Sequence, residues 1–264
     1  MTTKERKTMK ALVLEEYNRF EYKDVKVPEI GPSEVLIEIK AAGICGSDVH
    51  GVDGSTGRRQ TPLIMGHEAS GVVVEKGQNV QDWDTGDRVT FDSTVYCGEC
   101  FFCQRGQINL CENREVLGVS PEEYKRDGAF AEYVAVPEHI LYKVPKGVSF
   151  EEAAMVEPAS VAVHAVHRAG LELNDTTLVA GAGMIGSIIV QALDTSGCSE
   201  IIVVDLDENR LDTAREFGAT ETLKPSSDVT GLVQDRTNGL GVDVAFEAVG
   251  IEETIKMALG SLRK

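Results

Sequence analysis

From residue 9 to about 150 the chain runs in short stretches rich in valine, isoleucine and aromatic residues: MKALVLEEY, EVLIEIKAAG, SGVVVEKG, DRVTFDS and FAEYVAVP. Glycine- and proline-rich turns separate them. This punctuation predicts a small, mostly antiparallel β domain. The charged residues before Met9 read as a flexible extension, residues 1–8.

The pattern changes near residue 150. SFEEAAMVEPASVAVHAVHRAG opens with Ser149 and Glu152 at capping-box spacing and continues as a helix, with an interruption expected at Pro158. After it, strands and helices alternate. TTLVA, EIIVVD, ATETL and VDVAFEAV read as strands; GMIGSIIVQALDTS, ENRLDTAREFG, SDVTGLVQDRTN and the stretch from Ile251 read as helices. Apolar strands alternating with helices predict a parallel sheet covered on both faces. The fold class expected is therefore α/β plus mostly β, divided as 9–158 and 159–264.

Charge narrows the partners. With 26 basic and 43 acidic side chains, the 264 residues carry a formal charge of −17. Such an excess repels phosphate backbones and anionic lipid, which argues against nucleic-acid and membrane partners. The start, MTTKERKTMK, lacks the apolar core of a secretory signal, and no apolar run reaches the roughly 18–20 residues that span a bilayer. A cytoplasmic protein is expected.

Four of the six cysteines fall in CGECFFCQRGQINLC, as Cys97, Cys100, Cys103 and Cys111. In a reducing compartment such a cluster is expected to hold metal rather than disulfides. An iron–sulfur cluster is the rival, but its bacterial spacing places the fourth cysteine after three residues and before proline. Here seven residues intervene and Glu112 follows, which favours zinc. Four thiolates leave no open position, so this zinc is structural.

Between the first strand of the second half and its helix lies Gly181-Ala182-Gly183-Met184-Ile185-Gly186, a G-x-G-x-x-G turn. Asp205 ends the next strand, nineteen residues past Gly186. In this context the turn predicts dinucleotide binding, with phosphates at the helix N-terminus. Asp205 would accept hydrogen bonds from the adenosine ribose and repel a 2′-phosphate, favouring NAD over NADP. Arg210 lies near enough to bear on that choice, although a solvated helix charge is its simpler role. Val249, the last residue of the fourth strand, joins the cofactor-binding candidates.

Cys45, in GICGSDVH, and His67 with Glu68, in MGHEASGVVVEKG, would each be unremarked alone; a single buried cysteine is usually just a small hydrophobe. Together with the other motifs they carry a resemblance. The chain resembles the zinc-containing medium-chain alcohol dehydrogenases, and within them the sorbitol (polyol) dehydrogenase branch. The resemblance rests on G-H-E-x2-G-x5-G at 66–77, GDRV at 86–89, the four-cysteine lobe, and GAGMIG with its acidic partner.

It implies a GroES-like zinc-binding catalytic domain followed by a Rossmann doubly wound parallel sheet. It implies catalytic zinc held by Cys45 and His67, with a glutamate rather than a third cysteine. Glu157, in VEPASVAVHAV, and Glu68 both stand at such positions, and which binds directly is left open. Ser47 matches the hydroxyl-relay position, His50 a position often used to pass the proton on, and Asp48 a residue that orients a ligand. Zinc then acts as a Lewis acid on the alcohol and hydride passes to NAD. Threonine- and butanediol-type dehydrogenases share most of these motifs. Relatives in the family are homo-oligomers and run past the end of this sequence. The Rossmann sheet is thus expected to be incomplete, with strand order 3-2-1-4 and VDVAFEAV as an unpaired apolar edge. A shortened, catalytically silent zinc- and NAD-binding chain is the alternative to an active enzyme.

Overall fold

The computed structural model describes residues 7–119, 125–225 and 228–264, and the chain divides into two compact units at Glu157/Pro158. The first unit is built on strands β1 (Thr8–Glu16), β2 (Arg19–Lys26) and β3 (Glu34–Ala42), then a short helix α1 (Gly46–Gly51). Strands β4 (Leu63–Ile64), β5 (Ala69–Lys76), β6 (Arg88–Phe91) and β7 (Thr94–Val95) follow. The unit is completed by β8 (Glu115–Leu117), β9 (Lys125–Arg126), β10 (Tyr133–Pro137), β11 (Leu141–Lys143) and helix α2 (Phe150–Ala154).

A five-stranded sheet of order β10-β3-β5-β6-β11, antiparallel throughout, carries most of the core. Val35, Ile37, Val73, Val89, Phe91 and Val136 pack there, each essentially buried. A fully buried aliphatic side chain of this kind contributes about 1.5–3 kcal/mol. Sheet β2-β1-β4 and a small sheet β7-β8-β9 flank it. Ordered structure begins one residue inside the expected extension, since Thr8 pairs with Lys26 in β1–β2; residues 1–6 lie outside the described residues.

Helix α2 starts as its capping box predicts: Ser149 Oγ accepts from Glu152 N at 3.1 Å, and Ser149 N donates to Glu152 Oε2 at 2.7 Å. The interruption falls elsewhere than expected. The break is at Met155, and a new helix α3 (Val156–Ala169) runs straight through Pro158. Pro158 sits in the first turn of α3, where a missing N–H costs no helical bond.

The second unit continues with β12 (Thr176–Ala180), α4 (Met184–Ser196), β13 (Glu200–Val204), α5 (Glu208–Glu216) and β14 (Glu221–Leu223). Helix α6 (Val229–Arg236), β15 (Val244–Glu247) and helix α7 (Glu252–Ser261) complete it. The sheet is parallel with order β14-β13-β12-β15, the 3-2-1-4 order expected of an incomplete Rossmann sheet. Alternate strand residues face opposite layers. Val179, Ile201 and Val203 pack with Val166 of α3, Leu193 of α4 and Leu211 of α5. Leu178, Ile202 and Val204 pack with Val229 and Val233 of α6 and Met257 of α7.

The expected bare edge is partly covered. Ahead of β15, Val242 forms a parallel bridge with Leu262: Val242 N donates to Ser261 O and Arg263 N donates to Val242 O, both at 2.9 Å. Arg263 also pairs with Asp243. Beyond this bridge β15 pairs with β12 alone among the described residues.

Candidate functional site

Two segments of the first unit bring chemistry together. Cys45 caps α1, and its N–H donates to Asp48 Oδ2 at 3.1 Å, which fixes Asp48 inside the first turn of the helix. Gly66-His67-Glu68 links β4 to β5. Gly66 has φ +95°, and the Phe130 ring lies 2.5 Å from where a Cβ would sit, so the backbone can turn there only as glycine. His67 and Glu68 are driven inward by that turn, to 6% and 1% exposure.

The donor atoms of Cys45, His67 and Glu68 all lie within 4.8 Å of one another. Both Glu68 oxygens and His67 Nδ1 are buried without a hydrogen-bond partner among the described residues. Such orphaned polar atoms are costly unless something fills the space between them. Gly43 contributes to the cradle: a Cβ there would stand 2.4 Å from Glu68 Oε2. Burial pushes the Cys45 thiol up, against the Ser47 hydroxyl and N–H, which draw it down. Burial likewise raises the Glu68 carboxyl, with the charges of His67 and Asp48 acting in opposite directions. A cation bound here would reverse both shifts by stabilising thiolate and carboxylate. Thiolate, imidazole and carboxylate are the donors zinc takes, so the residues fit that ion.

Glu157, in the first turn of α3, is outside this compact set but close to it. Burial raises its carboxyl, His67 draws it back and Glu68 pushes it further up. Asp48 is 3% exposed, with Oδ1 3.6 Å from His67 Nδ1. Ser47 and His50 lie on exposed positions of α1. A residue no motif pointed to also sits here: Arg59, buried, donates to Asp48 Oδ1 at 3.1 Å.

The four-cysteine lobe closes on itself. Cys97, Cys100, Cys103 and Cys111 place their sulfurs within 4.8 Å of one another, and Cys97 Sγ to Cys111 Sγ is 3.6 Å. Thiolates about 2.3 Å from a zinc ion at tetrahedral corners stand roughly 3.8 Å apart, so the spacing fits a closed zinc site. None of the four is disulfide-bonded. The N–H groups of Glu99 and Cys100 lower Cys97 to about 6. Burial and the neighbouring thiols push Cys103 up to about 12. Backbone N–H groups, that of Cys103 foremost, draw Cys100 down as well, so the loop favours thiolate at two of the four and opposes it at Cys103, which a bound metal would have to deprotonate.

In the second unit the three motif glycines have three different environments. Gly181 has φ +98°, and its N–H donates to Val204 O at 2.8 Å. Gly183 caps α4 with nothing within 4 Å of a Cβ. At Gly186 a Cβ would fall 1.8 Å from Gly181 O. Turn, open approach and close packing are the parts such glycines play around a pyrophosphate. The turn borders a cavity of about 670 Å³ lined by Gly181, Gly183, Asp205, Arg210 and Val249 among others. Met184, Ile185 and Gly186 do not line it; Ile185 packs towards the core.

Asp205 is 9% exposed and accepts from Ala182 N at 2.7 Å and Asp207 N at 2.9 Å. Each carboxylate oxygen keeps a lone pair for a further donor. Arg210 Nη1 is 3.8 Å from Asp205 Oδ2 with its side chain 58% exposed.

A buried three-donor metal cradle, a closed cysteine lobe and a Rossmann glycine turn on one chain define a zinc-binding dehydrogenase. Family models agree: the alcohol dehydrogenase GroES-like domain matches residues 31–146, and the zinc-binding dehydrogenase model matches residues 185–264. A sorbitol dehydrogenase from Bacillus subtilis (strain 168) is 36% identical over 260 residues, covering 97% of this chain and 72% of that protein. The structure of a zinc-binding dehydrogenase from Sinorhizobium meliloti 1021 bound to NADP superimposes with TM-score 0.89 at 34% identity, over 98% of this chain and 75% of that one. The structure of 2R,3R-butanediol dehydrogenase from Bacillus subtilis gives TM-score 0.85 at 35% identity, over 97% and 74%.

The chain belongs to the zinc-containing medium-chain alcohol dehydrogenase family, in its polyol dehydrogenase branch. It is an alcohol oxidoreductase of the kind that works with zinc and a nicotinamide cofactor. No helix among the described residues is long and apolar enough to cross a membrane.

Proposed function

We propose that this protein oxidises a secondary alcohol or polyol, of the sorbitol or xylitol kind, to a ketone with transfer of hydride to NAD. The observation that carries the reading is the convergence of Cys45, His67 and Glu68, with both Glu68 oxygens buried and without a hydrogen-bond partner among the described residues. Cys45, His67 and Glu68 would hold the working zinc, with Glu157 beside them, and the four cysteines would hold the structural one. When bound, zinc supplies Lewis acidity that brings alcohol deprotonation into the neutral pH range.

The chain's own groups do the rest. Ser47 stands next to Cys45 on α1 and takes the substrate proton at its hydroxyl. His50 lies three residues further along the same helix, on the same face, and hands the proton to solvent. Asp48, against His67 Nδ1, keeps that imidazole in one orientation. Asp205 binds the adenosine ribose through its spare lone pairs, and its charge disfavours a 2′-phosphate.

The test is reduced-cofactor formation from sorbitol, xylitol, 2,3-butanediol and threonine, with NAD and NADP in parallel and zinc measured on the same sample. Turnover of a polyol with NAD is the expected outcome. Zinc bound without turnover of any substrate would remove the enzymatic reading, and tighter NADPH than NADH binding would reverse the cofactor assignment. The likeness to the butanediol dehydrogenase structure makes a short diol the second substrate class to compare.

A further inference from the structure

Arg59 falls in no motif, yet its side chain is only 1% exposed. Burying a guanidinium costs several kcal/mol unless its donors are used. Here the two terminal nitrogens are spread over three close acceptors, while Nε is buried without a partner among the described residues. Nη1 donates to Val119 O at 3.0 Å; Nη2 donates to Ser47 O at 3.0 Å and to Asp48 Oδ1 at 3.1 Å, with Ser47 Oγ 3.5 Å away.

The surroundings are shaped to receive it. Gly51 ends α1, and a Cβ there would stand 2.9 Å from Arg59 Cγ and 3.2 Å from its Cζ. The Tyr17 hydroxyl donates to Arg59 O at 3.0 Å. Gly54, at φ +78°, closes over the Tyr17 ring, which would lie 2.7 Å from a Cβ. The hairpin tip between β1 and β2 and the end of α1 thus both constrain one arginine.

What Arg59 constrains in turn is the metal cradle. Asp48 accepts from the Cys45 N–H with one oxygen; the other accepts from Arg59 and stands 3.6 Å from His67 Nδ1, so that Arg59 sets where this carboxylate faces the imidazole. Removing the guanidinium would leave a buried carboxylate without its counter-charge and Ser47 without an anchor on its carbonyl. We propose that Arg59 is the positioning residue of the catalytic zinc site: by locking Asp48 and Ser47 it presents the Cys45 thiol and the His67 imidazole to a common point. Arginine suits the place because its contacts are divided between two nitrogens, Nη1 reaching Val119 O and Nη2 reaching Ser47 O and Asp48 Oδ1, a span that one ammonium nitrogen does not match. The inference rests on reading Cys45, His67 and Glu68 as a zinc site.

Its test uses the full chain as wild type, Arg59→Met and Arg59→Lys. Metal per chain is followed through a chelator titration, cobalt-exchanged protein gives a visible spectrum, and NADH binding is read by fluorescence. Wild type is expected to hold two metals. Both variants should release one of them about 10–100-fold more readily, as outer partners of metal ligands do. They should keep the four-cysteine metal and wild-type NADH affinity, with a shifted cobalt spectrum for the labile site and the lysine variant intermediate. If Arg59→Met does not fold, Arg59→Lys decides. A lysine variant with wild-type metal retention and spectrum, or one that loses both metals together, overturns the assignment of Arg59 alone. A wild-type chain that holds only one metal overturns the zinc reading beneath it as well.

Discussion

Changing Gly186 to alanine and Gly183 to alanine should separate packing from ligand approach within one turn. At Gly186 the added methyl would sit 1.8 Å from the Gly181 carbonyl oxygen, whereas Cβ contacts under 3.0 Å essentially do not occur. That carbonyl cannot yield easily, because Gly181 is pinned by φ +98° and by its bond to Val204 O. Helix α4 must therefore shift by more than an ångström. Overpacking of this kind costs about 3 kcal/mol, and the better helix propensity of alanine returns about 1 kcal/mol. A net loss near 2 kcal/mol lowers the melting temperature of a unit this size by roughly 10 °C. At Gly183 a methyl meets nothing, so Gly183→Ala should melt within about 3 °C of wild type. It should nevertheless bind NADH at least about tenfold more weakly, a loss near 1.4 kcal/mol, because the methyl occupies the approach to the pyrophosphate. Calorimetry and NADH fluorescence titration on both variants make the comparison. A Gly186→Ala chain as stable as wild type, or a Gly183→Ala chain with wild-type NADH affinity, would refute the reasoning.

Gly43→Ala should push the Glu68 carboxylate out of the cradle, since its Cβ would lie 2.4 Å from Oε2; zinc content and turnover fall, at least about tenfold for turnover, while the melting temperature changes little. Unchanged zinc content would show that Glu68 does not serve the metal. Cys100→Ser should lower stability and solubility first and leave the catalytic metal in place, read by zinc analysis beside a melting curve. Acid should act on the second unit through Asp243, whose carboxyl is held below its ordinary 3.8 by the Thr176 N–H and hydroxyl and by Arg263, against burial. A carboxyl lowered in the folded state stabilises above its unfolded value and loses that contribution as pH falls through the folded one. Stability measured from pH 7 down to pH 3 should therefore drop below about pH 4, and Asp243→Asn should flatten that limb while costing about 1–2 kcal/mol at neutral pH.

The parts legible in the sequence are those whose geometry is local. The cysteine lobe follows from spacing, because fifteen residues bring all four sulfurs together. The glycine turn follows from sterics at Gly181 and Gly186, neighbours in the chain as well as in space. Alternation predicts a parallel sheet in the second unit, and its strand order comes with the resemblance to the Rossmann fold, since handed crossovers leave more than one order open. What escaped depends on distant partners. β2 reads RFEYKDVK, polar or half-exposed at every position, and is a strand because β1 offers it a ladder. Pro158 suggests a break, but position in the first turn of α3 removes its penalty and the break moves to Met155. Arg59 falls in no motif, and only the fold shows it enclosed by Tyr17, Gly51 and Val119. The relation of Glu68 to Glu157 is equally a matter of three dimensions, since Glu68 joins the compact donor set and Glu157 stands outside it.

Zinc content and alcohol-dependent NADH formation of Cys45→Ser, measured on one preparation beside wild type, address the division between a working and a structural metal. The variant should keep one zinc of two, bind NADH as wild type does, and form no product. A variant that retains both zinc ions and turns over alcohol would contradict that division.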